Sequence, residues 1–473
     1  MKNFLLLFTF LSNGVFCFGQ PTQSTLDFNQ ATASILDEGV FFSKPNSTYI
    51  EPGYEIPKGS GINAIFSAGF WMAGLDQWGQ LFLSAQRYAQ TNQNDFYSGP
   101  YSTYHTYMDP SYVAKYSEAI WTVTKAEIEF HAQHFQDPGY VIPSSIQNWP
   151  GNGDVMLGVA PQLAPFIDYN GNLMYEPQLG EFPDIRGDKA CYVIYNDDRP
   201  HLNSNGNSMR IEVHAMIYQF ASNDFLNETT FMNMRVFNRG ALSFSNFKLG
   251  FYMDADIGGY NDDFIGCDST LNLMYTYNYD NFDTDYGLNP PALGAISLSH
   301  NMENMSYYTS TSAYPYNDPG PALEYWNFLN GMWANGAGFY YGNPYTNQGW
   351  SEVSAQNPPG DRRGVMTLED VQLNSNTQTC YDMAIIYNRH GNHLENVQGL
   401  LEVADSIQQF YNLQVNYYNC VQVTADQDEI SPTETKTIIA YYDLLGRLCI
   451  PEKGKLFLIK YSDGSIEKHL IVD

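Results

Sequence analysis

Residues 211–256 read IEVHAMIYQFASNDFLNETTFMNMRVFNRGALSFSNFKLGFYMDAD, and their alternation decides the fold class. Ile211, Val213, Ala215 and Ile217 alternate with Glu212, His214, Met216 and Tyr218. Phe231 to Phe237 alternates next, and then Phe247, Leu249, Phe251 and Met253 alternate with Lys248, Tyr252, Asp254 and Asp256. A period of two is the signature of strands that turn one face to a core. Short turns at Ser222–Asn223–Asp224 and Asn238–Arg239–Gly240 predict three consecutive strands joined as an antiparallel meander. The expected fold is mainly β: an antiparallel β-sandwich-like body with long loops and a few helices, followed by a small C-terminal β module.

The same period places Asp254 and Asp256 on one face, opposite the apolar side, where they can share a ligand. They open a run, FYMDADIGGYNDDFIGCD at 251–268, that adds Asp262, Asp263 and Asp268. Between Lys248 and Arg362 the chain contains no Lys or Arg, so any counter-charge must come from far along the sequence. Clustered carboxylates otherwise repel one another or bind a hard cation, and a structural calcium ion is the expected cofactor. A second candidate loop is Asp168-Tyr-Asn170-Gly-Asn172 with Glu176, where oxygen side chains alternate around a glycine as they do in short calcium loops. It is not an EF-hand, because Gly falls at the fourth position and Leu179 at the twelfth; an ordinary Asn-Gly turn reads equally well.

Working outward, Ala64–Leu75 and Gln80–Tyr88 flank Asp76-Gln77-Trp78-Gly79 and predict a hairpin. Gln90–Pro110 reads as a long loop. Thr124 followed by Glu127 is a capping box opening a helix that Asp137-Pro138-Gly139 ends. Glu127, His131 and His134 share one side of that helix, which a metal or a general base could use but which a solvated face explains. Glu212 with His214 is likewise explained by a polar sheet face. The segment 278–360 holds Tyr325-Trp326, Trp333, Tyr340-Tyr341 and Trp350, as a glycan-stacking surface or a β-domain packing its own aromatics would. Cys380–Tyr387 is a further strand, and Leu394–Leu413 has helical periodicity.

Acidic residues outnumber basic ones 51 to 22, a formal charge of -29 that repels phosphate backbones and anionic lipid, so nucleic acid is not an expected partner. Lys2, the apolar run Phe4–Leu11 and Cys17-Phe18-Gly19 read as a signal peptide over 1–19, with no transmembrane segment expected in the mature chain. Five cysteines remain (Cys191, Cys267, Cys380, Cys420 and Cys449), too few for a disulfide scaffold and open in their pairing. The body is expected over 20–422, a division into two subdomains, if present, falling near 150–190. An acidic linker, VTADQDEISPTET at 423–435, precedes the module 436–473.

That module resembles the end of the sorting domain of type IX secretion system substrates. The residues concerned are Tyr442-Asp443-Leu444-Leu445-Gly446-Arg447, Leu456–Tyr461, Asp463-Gly464 and Glu467-Lys468-His469-Leu470-Ile471-Val472. The Tyr-Pro-Asn-Pro opening of the longer form is missing. The body resembles long acidic proteins that carry such domains, through Gly69-Phe70-Trp71-Met72, Trp149-Pro150, Leu163–Asp168, Pro183–Asp188, Asp262–Asp268 and Asp361-Arg362-Arg363. The resemblance implies export through the type IX machinery to the cell surface or the medium, and implies no reaction. The expected role is a non-catalytic, calcium-stabilised adhesin, matrix or polymer-binding protein whose partner is an extracellular glycan or surface polymer. The alternative is a secreted glycan hydrolase drawing a carboxylate pair from Asp254, Asp256, Asp262 and Asp263, with His214 as accessory.

Overall fold

A computed structural model of the chain describes residues 22–45, 50–88, 93–309, 314–331 and 342–418, and the strands Ile438–Tyr442, Leu456–Tyr461 and Ile466–Leu470. The expected signal peptide at 1–19, the expected linker and turns at 443–447 and 463–464, Trp333, Tyr340, Tyr341, Cys420 and Cys449 lie outside the described residues. Two large antiparallel sheets make the body, which is mainly β as expected. In the first sheet Met302–Tyr308, Arg362–Leu368, Phe244–Ala255, Ser67–Leu75, Val40–Phe41, Thr32–Leu36, Tyr54–Glu55 and Asn63–Ile65 follow one another. In the second the order is Tyr97–Ser98, Lys189–Asn196, Ile211–Gln219, Thr229–Asn238, Gln378–Asn388, Ala292–Ser297, Leu273–Asn278 and Asp263–Asp268.

The meander is only two-thirds correct. Ile211–Gln219 and Thr229–Asn238 pair in register, but Phe244–Ala255 leaves their sheet and becomes a central strand of the other one. Alternation specifies which face is apolar and says nothing about which sheet supplies the neighbours. Here the apolar faces oppose each other instead of lying side by side. Phe70, Met72, Leu249, Phe251 and Met253 of the first sheet meet Val213, Ala215, Ile217, Met232, Met234 and Ile385 of the second in one buried core. Burying each such side chain is worth about 1.5–3 kcal/mol, so this interior layer is what joins the sheets. Truncating Phe251 to Ala would cost about 3–5 kcal/mol there.

Neither outer face is left to water. Against the second sheet, Tyr192, Met216, Tyr218 and Phe231 pack on Val397, Leu400, Ala404 and Ile407 of the helix His393–Tyr418, and on Ile128 and Trp149 from the long insertion before Lys189. Against the first, Trp71, Tyr252 and Tyr308 pack on Tyr325, Phe328 and Leu329 of the helix Ala322–Leu329. Tyr325 thus belongs to the protein's own core. Both faces being covered explains why Ile211–Gln219 is buried at every position despite its polar alternation.

Local signals hold where they are chemical. Asp76 Oδ1 accepts from the N–H groups of Trp78 and Gln80 to close the expected hairpin between Ser67–Leu75 and Leu81–Ala85. Thr124 Oγ1 accepts from Glu127 N at 3.2 Å and Glu127 Oε2 accepts from Thr124 N at 2.8 Å, the capping box of helix Lys125–His134. The three C-terminal strands form their own antiparallel sheet.

Candidate metal centre

Strand Phe244–Ala255 alternates Leu249, Phe251, Met253 and Ala255 inward, so Tyr252 and Asp254 point to the outer face of the first sheet. Its register sets Asp254 opposite Arg363 on one side and opposite Ser67 on the other. The counter-charge absent from the local sequence arrives this way: Arg363 Nε donates to Asp254 Oδ2 at 3.1 Å and its Nη2 donates to Asp361 Oδ2 at 3.0 Å. The Tyr88 hydroxyl donates to the same Asp254 Oδ2 at 2.7 Å, and Tyr252 donates to Tyr88 at 2.8 Å. Behind them Trp71 stacks on Tyr252 at 5.3 Å with an interplanar angle of 13°, which fixes that wall of the site.

Asp254, Asp256 and Asp361 each bring a carboxylate oxygen within 4.8 Å of the others. Asp254 is 2% exposed, whereas Asp256 and Asp361 are half-buried, so the group reaches solvent through the latter two. Asp254 Oδ1 is buried and meets no hydrogen-bond donor among the described residues. Burial pushes the Asp254 carboxyl up to about 6, more than the neighbouring Arg363 can reverse. Asp256 is pushed well above the usual carboxylate range by burial and then by the charges of Asp254 and Asp361. Three carboxylates against one guanidinium leave negative charge that a proton or a hard cation must balance. The oxygen-only donor set suits calcium, which takes six to eight oxygens, some from water.

Sequence reasoning brought Asp254 and Asp256 together correctly and missed Asp361 and Tyr88. Asp361 had a signal: it adjoins Arg362 and Arg363, the first cations after the long cation-free stretch. Arg362 does separate work, donating from Nε to the buried Glu352 at 3.1 Å. The other three carboxylates of the run do not join this centre. Asp263 Oδ2 accepts from Ile257 N at 3.1 Å, and Asp262 Oδ1 lies beside Gly259. Asp268 ends the strand Asp263–Asp268, about 17 Å along it from Asp263. Its Oδ1 caps a turn, accepting from Thr270 N at 2.9 Å and Leu271 N at 3.2 Å.

The loop at Asp168 is a separate region that closes on itself. Asp168 accepts from Gly171 N and Leu173 N, Asn170 Oδ1 from Asn172 N, and Asn172 Oδ1 from Met174 N. Both asparagine amides donate to Glu176 Oε2, at 3.1 and 2.7 Å. These bonds gather the oxygens of Asp168, Asn170, Asn172 and Glu176 within one loop. On the helix, Glu127 is absorbed in the cap, His131 is buried against Tyr140 and His134 pairs with Asp137. Glu212 and His214 do not line a solvated face: both are buried, and Glu212 Oε1 lies 2.9 Å from His214 Nε2.

No protein-family model matches the chain, and no curated protein matches it. Among solved structures, a polysaccharide lyase aligns at TM-score 0.21 and 10% identity over 40% of this chain and 22% of its own. A protein described as an aldose 1-epimerase from Escherichia coli K12 aligns at TM-score 0.25 and 10% identity, over 78% and 99%. An amine oxidase from Aspergillus nidulans aligns at TM-score 0.26 and 10% identity, over 80% and 52%. The chain therefore spans about a fifth of the lyase and half of the oxidase. Likeness this slight, to such different chemistries, carries no functional argument.

Proposed function

We propose that the chain is an exported, non-catalytic binding protein whose β body is stabilised by calcium at the Asp254–Asp256–Asp361 centre and which engages an extracellular glycan or surface polymer. The observation that carries this reading is the group itself: Asp254, Asp256 and Asp361 each bring a carboxylate oxygen within 4.8 Å of the others, and Asp254 Oδ1 is buried with no donor among the described residues. Oxygens that close can share one ion. Asp254 is also pinned by Arg363 and Tyr88, which suits a ligand held in place. Aromatic side chains left in water support polymer contact: Trp78 at the hairpin tip is 73% exposed and Tyr260 63%. The disulfide at Cys380 is what an oxidising compartment permits, and export itself rests on the N- and C-terminal sequence features.

Co-sedimentation of the full chain with a panel of insoluble polysaccharides, in calcium and in chelator, tests the reading. Retention in calcium that is lost in chelator and in the Asp254→Asn/Asp256→Asn variant is expected. Release of reducing ends that one of these substitutions abolishes would replace the binding protein with the hydrolase.

A further inference from the structure

Two residues outside the Asp254 centre hold their backbone in the left-handed region and bring their side chains to one carboxylate. His105 has φ +53° and Arg210 φ +58°, a conformation uncommon outside glycine. Backbone bonds hold both: His105 N donates to the Ser102 carbonyl at 3.0 Å, and the Arg210 carbonyl accepts from Arg239 N at 3.0 Å. Strain of this kind collects where side chains are aimed at a ligand.

The shared carboxylate is Asp198, whose side chain is 8% exposed. His105 Nδ1 lies 2.6 Å from its Oδ2, the Tyr107 hydroxyl donates to the same oxygen at 2.8 Å, and Arg210 Nε stands 3.5 Å from Oδ1. A carboxylate accepts, so it sets the His105 proton on Nδ1 and leaves Nε2 as an acceptor. Arg210 spends only Nε here. Both side chains are 52% exposed, and neither His105 Nε2 nor an Arg210 Nη has a hydrogen-bond partner among the described residues.

A second guanidinium borders the cluster through Tyr107. Arg199 lies over the Tyr97 ring at 3.9 Å and the Tyr107 ring at 5.4 Å, and it forms no ion pair among the described residues. Glu38, whose charge acts on Arg199, is pushed up to about 7 by burial, and Arg239 balances the nearby Glu212. Positive charge is therefore in local excess on a chain of formal charge -29. Exposed charges more than about 8–10 Å away are largely screened at physiological salt, so this excess governs what binds here. An acceptor nitrogen beside a cationic fork is complementary to a sugar acid, whose hydroxyl donates to Nε2 while its anionic group receives the Nη pair. A bare inorganic anion would leave Nε2 without a donor. Tyr104, next to His105, is 67% exposed and adds a ring in water on the same loop.

We propose that His105, Arg199 and Arg210 around Asp198 form a glycan-binding site for a sugar bearing a monoanionic group, a uronic acid carboxylate or a sulfate ester. The proposal rests on the reading above for the class of ligand and adds its charge and its place on the body.

Titration calorimetry of the full chain in millimolar calcium, with trigalacturonate, its methyl ester, galactose 6-sulfate and galactose, tests it. At least one of the two anionic sugars is expected to bind about tenfold or more tighter than its uncharged counterpart, and which one does names the anionic group. Arg210→Gln should weaken that binding about tenfold, and His105→Phe, which keeps a ring and removes Nε2, by a smaller factor. Both variants should keep the calcium-dependent unfolding midpoint of the native chain. Should Arg210→Gln fail to fold, Arg210→Lys retains the charge without the fork and is expected to weaken binding as well. Equal binding of charged and uncharged sugars, binding of none of the four, or native affinity in a folded Arg210 variant would each overturn the site. A native chain that binds the sugar acid without responding to calcium would sink the Asp254 reading and leave this one standing.

Discussion

Glu212 and Asp254 are buried carboxylates on the outer faces of the two sheets, and their protons behave oppositely. Burial would raise Glu212, but hydrogen bonding and charge from His214 and the Arg239 guanidinium outweigh it and hold the carboxyl at about 2. Its Oε1 meets His214 Nε2 at 2.9 Å and Arg239 Nη2 at 2.6 Å, and its Oε2 accepts from Tyr101 N at 2.7 Å. At Asp254 one oxygen has Arg363 and Tyr88 and the other has no donor among the described residues, and the carboxyl is pushed up to about 6. Depth is therefore not what separates a structural charge from an unfinished one. Completeness of the donor set is.

The comparison breaks first at Glu212. Replacing it with Ala strands Arg239 and His214 and should cost on the order of 3 kcal/mol in urea unfolding, in calcium and in chelator alike. A loss below 0.5 kcal/mol, in the range of surface substitutions, would show that the site is not satisfied as drawn. At the unfinished centre, calcium at a hundred times its dissociation constant should add about 2.7 kcal/mol to the native chain and nothing to Asp254→Asn/Asp256→Asn.

The pH dependence sharpens the contrast. Asp254 is raised in the folded state from the unfolded range near 4 to about 6, so between those values the native chain holds more protons than the unfolded chain. Its contribution to stability is complete below pH 4 and is lost as pH rises toward 6. Asp37 and Glu38, both raised to about 7 with burial as the leading cause, act in the same direction. Asp37 and Glu38 being common to both proteins, in chelator the native chain should lose stability relative to Asp254→Asn between pH 4 and 6, by about 1.4 kcal/mol for each tenfold change in proton affinity. Calcium should flatten that difference, and a difference of the opposite sign would refute the assignment. The smallest effect is expected at Asp268→Asn, within about 0.5 kcal/mol and without change in calcium response, because Asn caps a turn as well as Asp does.

Sequence patterns served best where a short-range rule governs. The capping box at Thr124, the hairpin at Asp76 and the inward and outward faces of Phe244–Ala255 all follow from local chemistry. The placing of Phe244–Ala255 in the first sheet, away from its two predecessors, does not, because pairing depends on partners such as Ser67–Leu75 and Arg362–Leu368, far away in the chain. The site divides in the same way. Asp254 with Asp256 was legible from a period of two, while Asp361 and Tyr88 arrive by tertiary contact. Density of acids overstated the cluster: one run of eighteen residues feeds a shared centre, a bond to Ile257 N and a plain turn cap.

The most direct measurement is the thermal unfolding midpoint of the full chain in chelator and in millimolar calcium, for the native sequence and for Asp254→Asn/Asp256→Asn. A calcium-dependent rise in the native chain, lost from the variant, is the expected result. The same midpoint for the native chain in both solutions would contradict a cation at Asp254, Asp256 and Asp361, leaving the buried Asp254 oxygen to be balanced by a proton.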